Sequence, residues 1–237
     1  MGASFFSFKQ FTVSHEHCAM KVGTDGVLLG AWASADSPEH ILDIGTGSGL
    51  IALMLAQRFN AHITGIDIDS NACYQAQLNF INSPWQNRLQ AIEFSLSEFS
   101  KHNTTKFDLI VSNPPFFVNS LKNPNQQRTL ARHAFESFHQ EIVSFALQTL
   151  SKDGKLCLIL PIPEGEELIR YALLVQLYCT RKTYVIPKPG ANAKRLLIEL
   201  SPENNACLTN NLLIETDTRH VYSDDFAKLL KDFYLKL

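Results

Sequence analysis

A chain of 237 residues, 45% hydrophobic and 19% charged, has the apolar material for one α/β domain with a few additional elements and is neither disordered nor collagen-like. Its formal charge of -2 excludes sequence-blind coating of nucleic acid, which needs Lys and Arg in number, and leaves room only for a local basic surface. The five cysteines are odd in number, dispersed and without a C-x-x-C pair, so no disulfide framework or zinc knuckle is spelled and a reducing cytoplasm is the expected setting.

In chain order, residues 1–10 hold several phenylalanines but no basic start followed by an apolar stretch and a small-residue cleavage site, so export is not expected. His15-Glu16-His17 sits in a loop with no matching Cys or His partner, and no metal is expected there. From about residue 40, short apolar runs alternate with amphipathic stretches, the pattern of strand-helix units around a mainly parallel sheet with right-handed crossovers. Ile41-Leu42-Asp43-Ile44 is the first strand, followed by a glycine-rich turn and a helix through Arg58. The apolar run 50–56 is far too short to cross a bilayer, so no membrane span is expected.

Residues 62–66 give the second strand, ending at Asp67, and Ser70 stands as N-cap of a helix to about Asn82. Residues 91–94 and 107–112 read as the third and fourth strands, the latter stopped by Asn113-Pro114-Pro115-Phe116 because proline cannot continue a ladder. The polar interval 117–138 has no clear period and reads as a long loop. A helix over 139–150, a buried strand over 154–160 and a helix over 164–178 follow. Strand-like segments 181–186 and 195–200 are separated by Pro187-Lys188-Pro189-Gly190, which predicts an antiparallel terminal hairpin. Residues 212–215 are a candidate further strand, and Ser223-Asp224-Asp225 caps a last helix. The expected fold is therefore α/β: a doubly wound, seven-stranded, mostly parallel sheet ending in an antiparallel hairpin.

Three features carry chemistry. Asp43-x-Gly45-x-Gly47-x-Gly49 stands where a buried strand hands over to a helix, so that a ligand can approach bare backbone. It is a poor dinucleotide fingerprint, because Leu50 takes the place of the third glycine and an acid interrupts the strand, which suits a cationic amine better than a pyrophosphate. Asp67 ends the second strand about twenty residues further on, where a carboxylate can accept hydrogen bonds from both hydroxyls of a ribose. Asn113-Pro114-Pro115-Phe116 follows another buried strand on the same sheet edge. The lone pair of a planar exocyclic amine is delocalised, and two fixed acceptors, the Asn113 side-chain oxygen and the Pro114 carbonyl, suit its two N–H groups. Phe116 is placed to stack on a flat substrate. A simple helix cap, tight turn or strand stop would explain each feature alone; their order and spacing point to a nucleoside-type cofactor beside an amine substrate.

Asp-Ile-Gly-Thr-Gly-Ser-Gly at 43–49, Gly-Ile-Asp at 65–67 and Asn-Pro-Pro-Phe at 113–116 resemble the class I S-adenosylmethionine-dependent amino-methyltransferases. Further stretches at 8–13, 18–32 and 131–133, with Asp232-Phe233-Tyr234-Leu235, are similar to the bacterial tRNA1(Val) adenine-37 N6-methyltransferases over nearly the whole chain. The resemblance implies that S-adenosylmethionine is held by Asp43, Gly45, Thr46, Gly47, Gly49, Asp67, Ile68 and Asn113, covered by Lys21, Thr24 and Asp25. It further implies that Asn113, Pro114, Pro115 and Phe116 engage the adenine of a tRNA anticodon loop. One departure is visible after the third strand, where related enzymes often carry an acid for the cofactor's adenine and this chain has Phe94-Ser95-Leu96-Ser97. On this reading the chain is a single methyltransferase domain, with 1–38 a cap segment over the cofactor, 39–200 the catalytic core and 201–237 a strand and helix extension.

Candidate tRNA contacts are Lys122, Arg128, Arg132 and His133 in one stretch and Arg181, Lys182, Lys188, Lys194 and Arg195 in another, against the plainer reading of each as a solvated charge. Nothing implies a stable protein partner. Guanine N2 of ribosomal RNA and a protein glutamine amide fit the same pocket logic, with Phe116 in place of Tyr leaning away from the latter. A protein that has lost catalysis and only binds RNA is the rival of another class, and the intact Asn113-Pro114 pair argues against it.

Overall fold

The computed structural model describes residues 4–18, 21–114, 126–218 and 221–237, with backbone alone for 126–136. The strands are β1 (Phe5–Ser7), β2 (Thr12–Ser14), β3 (His40–Ile44), β4 (His62–Asp67), β5 (Leu89–Glu93), β6 (Phe107–Ser112), β7 (Leu150–Pro161), β8 (Tyr178–Ile186), β9 (Arg195–Ser201) and β10 (Leu208–Leu213). The helices are α1 (Thr24–Trp32), α2 (Leu50–Arg58), α3 (Ser70–Ile81), α4 (Leu96–His102), α5 (Gln126–Thr149), α6 (Ile162–Leu174) and α7 (Asp224–Leu230).

The main sheet runs β10-β8-β9-β7-β6-β3-β4-β5. It is parallel except at β9, which lies antiparallel to both β7 and β8. Seven of its strands reproduce the expected architecture, and the hairpin closes one side as expected. The eighth, β10, extends that side by pairing parallel with β8, four residues earlier than the candidate strand at 212–215. Chain order reverses at β3: the chain steps outward through β4 to β5, then returns to β3's other side as β6. A crevice therefore opens beyond the carboxyl ends of β3 and β6, the usual ligand position in open α/β sheets.

Alternate residues of the inner strands feed two cores, as a sheet covered on both faces requires. Ile41, Ile63, Leu109, Val111, Cys157 and Ile159 join α1, α2, α7 and the N-terminal hairpin. Leu42, Ile44, Ile66, Ile110, Leu156 and Leu158 join α4, α5 and α6 on the opposite face.

Several local expectations change. Asp69, not Ser70, caps α3, its side chain accepting from the Asn71 N–H at 2.9 Å. Helix α5 begins at Gln126, so much of the interval read as a loop is helical. Helix α4 is set by a reciprocal capping box, Ser95 with Glu98, within the stretch where an acid for the cofactor had been sought. Helix α1 shows no amphipathic period because its residues from Gly26 to Trp32 are all buried. It presses on α2 through Gly30, where an added Cβ would lie 2.8 Å from the Met54 sulfur. Arg58 holds its end by donating to the Gly30 and Ala33 carbonyls at 2.8 and 2.6 Å.

Candidate active site

The turn after β3 is built from glycines with positive φ: 72° at Gly45, 54° at Gly47 and 79° at Gly49. Only glycine adopts this run without strain. The Gly45 and Thr46 N–H groups both donate to the Ile66 carbonyl, at 2.9 and 3.0 Å, tying the turn to β4. Thr46 folds back over Gly65, where any Cβ would lie 2.6 Å from its hydroxyl oxygen. An added Cβ at Gly45 or Gly47 meets nothing within 4 Å, so open space faces both residues. Gly49 is different: its Cβ would strike the Phe80 ring at 2.5 Å, and packing of the turn on α3 by itself demands glycine there.

Two carboxylates flank this cradle. Asp67 is half-buried; its Oδ2 accepts from the Gly47 N–H at 2.9 Å and its Oδ1 from the Asp69 N–H at 3.0 Å. The next residue, Ile68, is 76% exposed, an apolar side chain facing outward beside the turn. Asp43 is wholly buried beneath it. Its Oδ2 accepts from the Thr46 hydroxyl at 2.8 Å, and its Oδ1 is buried without a hydrogen-bond partner among the described residues. Burial pushes the Asp43 pKa up to about 7; the Thr46 hydroxyl and the nearby Ala52 N–H oppose the shift and the Asp67 charge adds to it.

Across the crevice, the Ser112 hydroxyl donates to the Ile44 carbonyl at 2.9 Å and fixes the end of β6 against β3. Asn113 follows, half-buried, with its Oδ1 buried and without a partner among the described residues. Pro114 is buried behind it, whereas Pro115 and Phe116 lie outside the described residues. Helix α1 forms a wall of this site: a Cβ at Gly26 would stand 3.9 Å from Asn113 Nδ2 and 3.0 Å from Leu50. A larger residue at Gly26 would crowd both.

The cover segment divides. Lys21 is exposed, and the Asp25 carboxylate pairs with Arg195 Nε at 2.7 Å. Thr24 and Asp25 line a cavity of about 340 Å³ with Leu28, Val185, Pro187, Lys194, Arg195 and Ile214. The first turn of α1 thus sets both residues against the β8–β9 hairpin. Arg195 is correspondingly an ion-pair partner within the protein. Arg181 is likewise engaged internally, stacked over Trp32 at 3.7 Å and paired with Glu199 at 2.8 Å. Lys182 pairs with Glu166 at 3.3 Å. Lys188 and Lys194 are exposed. Lys122 lies outside the described residues, and Arg128, Arg132 and His133 stand on the first turns of α5 with only their backbone described.

Two positioning residues escaped the sequence reading. Asn79 and Gln75, one turn apart on α3, are buried polar groups that hold the N-terminal segment. Gln75 Oε1 accepts from the His17 N–H at 3.2 Å, and Asn79 bonds the backbone of Ser14 and Ser48. Their signal was the interruption of an apolar helix face, Ala72-x-x-x-Ala76-x-x-x-Phe80, by neighbouring amides. Among the described residues no group of three His, Cys, Asp or Glu is placed to hold a metal, and no helix is long and apolar enough to cross a membrane.

This sheet order, with a glycine cradle at its switch point, is the architecture of a Rossmann-like class I methyltransferase, and known proteins agree. Residues 18–165 match the family model for the methyltransferase small domain. Relatives named tRNA1(Val) (adenine(37)-N6)-methyltransferase include one from Parabacteroides distasonis, 49% identical over all of both chains, and one from Bacteroides fragilis, 46% identical over all of both. A Pasteurella multocida relative of the same name is 43% identical over 97% of this chain and 96% of its own. The chain belongs to the tRNA1(Val) (adenine(37)-N6)-methyltransferase family. Solved structures share the fold at low identity: an Agrobacterium tumefaciens protein described as an O-methyltransferase has a TM-score of 0.68 at 18% identity, covering 88% of this chain and 96% of that one. A ribosomal protein L11 methylase from Lactobacillus delbrueckii has a TM-score of 0.51 at 16% identity, covering 74% and 76%.

Proposed function

We propose that this chain transfers the methyl group of S-adenosylmethionine to the exocyclic N6 of adenine 37 in tRNA1(Val), in the cytoplasm. The observation that carries the reading is Asn113 Oδ1, a buried acceptor without a partner among the described residues, at the mouth of the switch-point crevice beside an open glycine cradle. A buried acceptor without a partner is costly, and an amine N–H in that position relieves the cost.

The residues present fit a nucleoside cofactor with a cationic, phosphate-free tail. Space stands before Gly45 and Gly47, the Asp43 carboxyl is buried beneath the turn, Asp67 is set at the strand end for ribose hydroxyls, and Ile68 offers an apolar face. Lys21 is exposed and free to reach a bound cofactor in this reading. When bound, S-adenosylmethionine supplies an electrophilic methyl group on a sulfonium.

In this reading Asn113 Oδ1 and the Pro114 carbonyl accept the two amine hydrogens, drawing the nitrogen toward tetrahedral geometry and aiming its lone pair. Pro115 stiffens the carbonyl, and Phe116 stacks on the extruded base. No base is needed before attack, because the amine becomes acidic only once it is alkylated. An unpaired loop adenine is cheaper to expose than a paired one, and Lys122, Arg128, Arg132, His133, Lys188 and Lys194 supply phosphate contacts that set position.

The test is incubation of the purified chain with labelled S-adenosylmethionine and unmodified tRNA1(Val), followed by nucleoside analysis. Label in N6-methyladenosine is expected. Label in N2-methylguanosine, in a protein glutamine or nowhere would replace this reading.

A further inference from the structure

We propose that the cavity between α1 and the β8–β9 hairpin is a second RNA subsite that takes the base of a nucleotide adjoining the methylated adenine. The proposal rests on the RNA reading above and adds to it a place where a neighbouring nucleotide is bound.

Helix α1 has two working faces. Gly26 looks toward Asn113, while Thr24, Asp25 and Leu28 look into the cavity. The cavity therefore lies about one helix width, roughly 10 Å, from the acceptor assigned to the target amine. It opens at the same carboxyl edge of the sheet, since Val185 is the penultimate residue of β8, Arg195 starts the antiparallel β9 and Ile214 follows β10. Extruding one base from a single strand carries its neighbours to this edge with it.

The chemistry of the lining fits a base. Leu28, Val185, Pro187 and Ile214 form the apolar part of an open cleft, whose volume of about 340 Å³ is at the small end of those that take small organic ligands. The walls are fixed by backbone bonds: Lys194 N–H to the Val185 carbonyl at 2.9 Å, Ile214 N–H to Ile186 at 2.9 Å and Glu215 N–H to Pro187 at 3.0 Å. Thr24, Asp25, Lys194 and Arg195 make up the polar part of the lining. Asp25 Oδ2 accepts from Arg195 Nε at 2.7 Å, and a carboxylate has lone pairs enough to take an amino or imino donor on a base edge as well. Exposed Lys188 and Lys194 lie on the connecting loop, where the phosphates attached to such a base would run. Apolar surface beside a carboxylate acceptor, with a cationic rim, suits a base whose phosphates run along that rim.

The test uses the full chain and a synthetic tRNA1(Val) anticodon arm in three forms: intact, and abasic on the 5′ or the 3′ side of the target adenine. Methyl transfer is followed at varied RNA concentration. With the wild-type protein, one abasic arm should raise KM about tenfold, the scale of a lost base stack, while kcat stays within a factor of two or three. Ile214→Trp, which fills the slot, should raise KM for the intact arm similarly and abolish the difference between intact and abasic arms, with S-adenosylmethionine affinity unchanged by calorimetry. Equal KM for all three arms with the wild-type protein would overturn the proposal and leave adenine methylation standing. An undiminished abasic penalty in a folded, cofactor-binding Ile214→Trp would overturn it too. Absence of label from the intact arm would overturn the RNA reading itself, and the subsite with it.

Discussion

The side-chain amide of Asn79 is bonded on both sides to the backbone of Ser14, accepting from its N–H at 3.1 Å and donating to its carbonyl at 2.8 Å. Its remaining hydrogen reaches the Ser48 carbonyl in the glycine turn, also at 2.8 Å. One buried residue on α3 thus couples the N-terminal hairpin to the cofactor cradle. Asn79→Ala removes all three bonds and leaves buried backbone groups unpaired, a loss of about 2–4 kcal/mol at roughly 1 kcal/mol per bond plus desolvation. Urea unfolding should show that loss, and calorimetry a weaker S-adenosylmethionine affinity. Unchanged stability would show that these bonds contribute nothing net in solution.

Asp43 gives the fold a pH dependence whose sign is unusual for a carboxylate. Its pKa is about 7 in the folded protein against 3.8 for the free group, so between those values the folded state holds a proton that the unfolded state has lost. Its contribution is therefore fully present below pH 3.8 and is lost as pH rises through 7. His139, held neutral by burial down to about 4 from an ordinary 6.5, contributes the opposite slope between those values. Comparing wild type with Asp43→Asn isolates the carboxylate, because His139 is common to both. The variant should gain on wild type, by something on the order of 2–4 kcal/mol, as pH rises from 4 to 8 in the absence of cofactor. Parallel curves of urea midpoint against pH would mean that Asp43 ionises freely despite its burial.

The parts of the site that were legible were those whose chemistry is written in contiguous residues. Asp43 to Gly49, Asp67 and Asn113-Pro114 could be placed on one sheet edge because strand period and proline punctuation fix where each strand ends. What escaped depends on partners distant in the chain. Asp25 follows Thr24 in a stretch that resembles a cofactor cover, yet its carboxylate is claimed by Arg195, 170 residues away. Arg181 looked like a surface charge until Trp32 and Glu199 were brought to it. Helix α1 was hidden because burial on all sides erases amphipathic period, whereas the Ser95-x-x-Glu98 capping box of α4 was present to be read.

Asn113 separates binding from chemistry. If its Oδ1 acts on the target amine only as the nitrogen is reshaped, Asn113→Ala should lower kcat about 10²–10³-fold, the scale seen when one preorganised polar group is removed from a reacting centre. S-adenosylmethionine affinity and thermal midpoint should stay close to wild type, since the oxygen has no partner among the described residues to lose. A fully active variant would remove Asn113 from the mechanism, and one that loses cofactor binding in step with activity would move it to the cofactor.

Gly47 and Gly49 stand two residues apart with similar φ, yet the structure assigns them different work. Alanine at either position must adopt a left-handed backbone, at a cost of about 1 kcal/mol or a little more. At Gly47 nothing lies within 4 Å of the new methyl, so that backbone cost is the whole effect on stability. The methyl would instead project into the open space before the cradle, and Gly47→Ala should bind S-adenosylmethionine at least tenfold more weakly while unfolding close to wild type. At Gly49 the methyl meets Phe80 at 2.5 Å and Ala76 at 3.3 Å, inside a packed interface that must shift. Gly49→Ala should therefore lose about 2–4 kcal/mol, the backbone cost plus overpacking. Phe80→Leu in the same chain should recover only the overpacking share, because the φ of 79° persists whatever stands opposite. Equal stability losses in the two single variants would mean that backbone strain alone sets the cost, and that the contact between the turn and α3 is loose enough to take a methyl group.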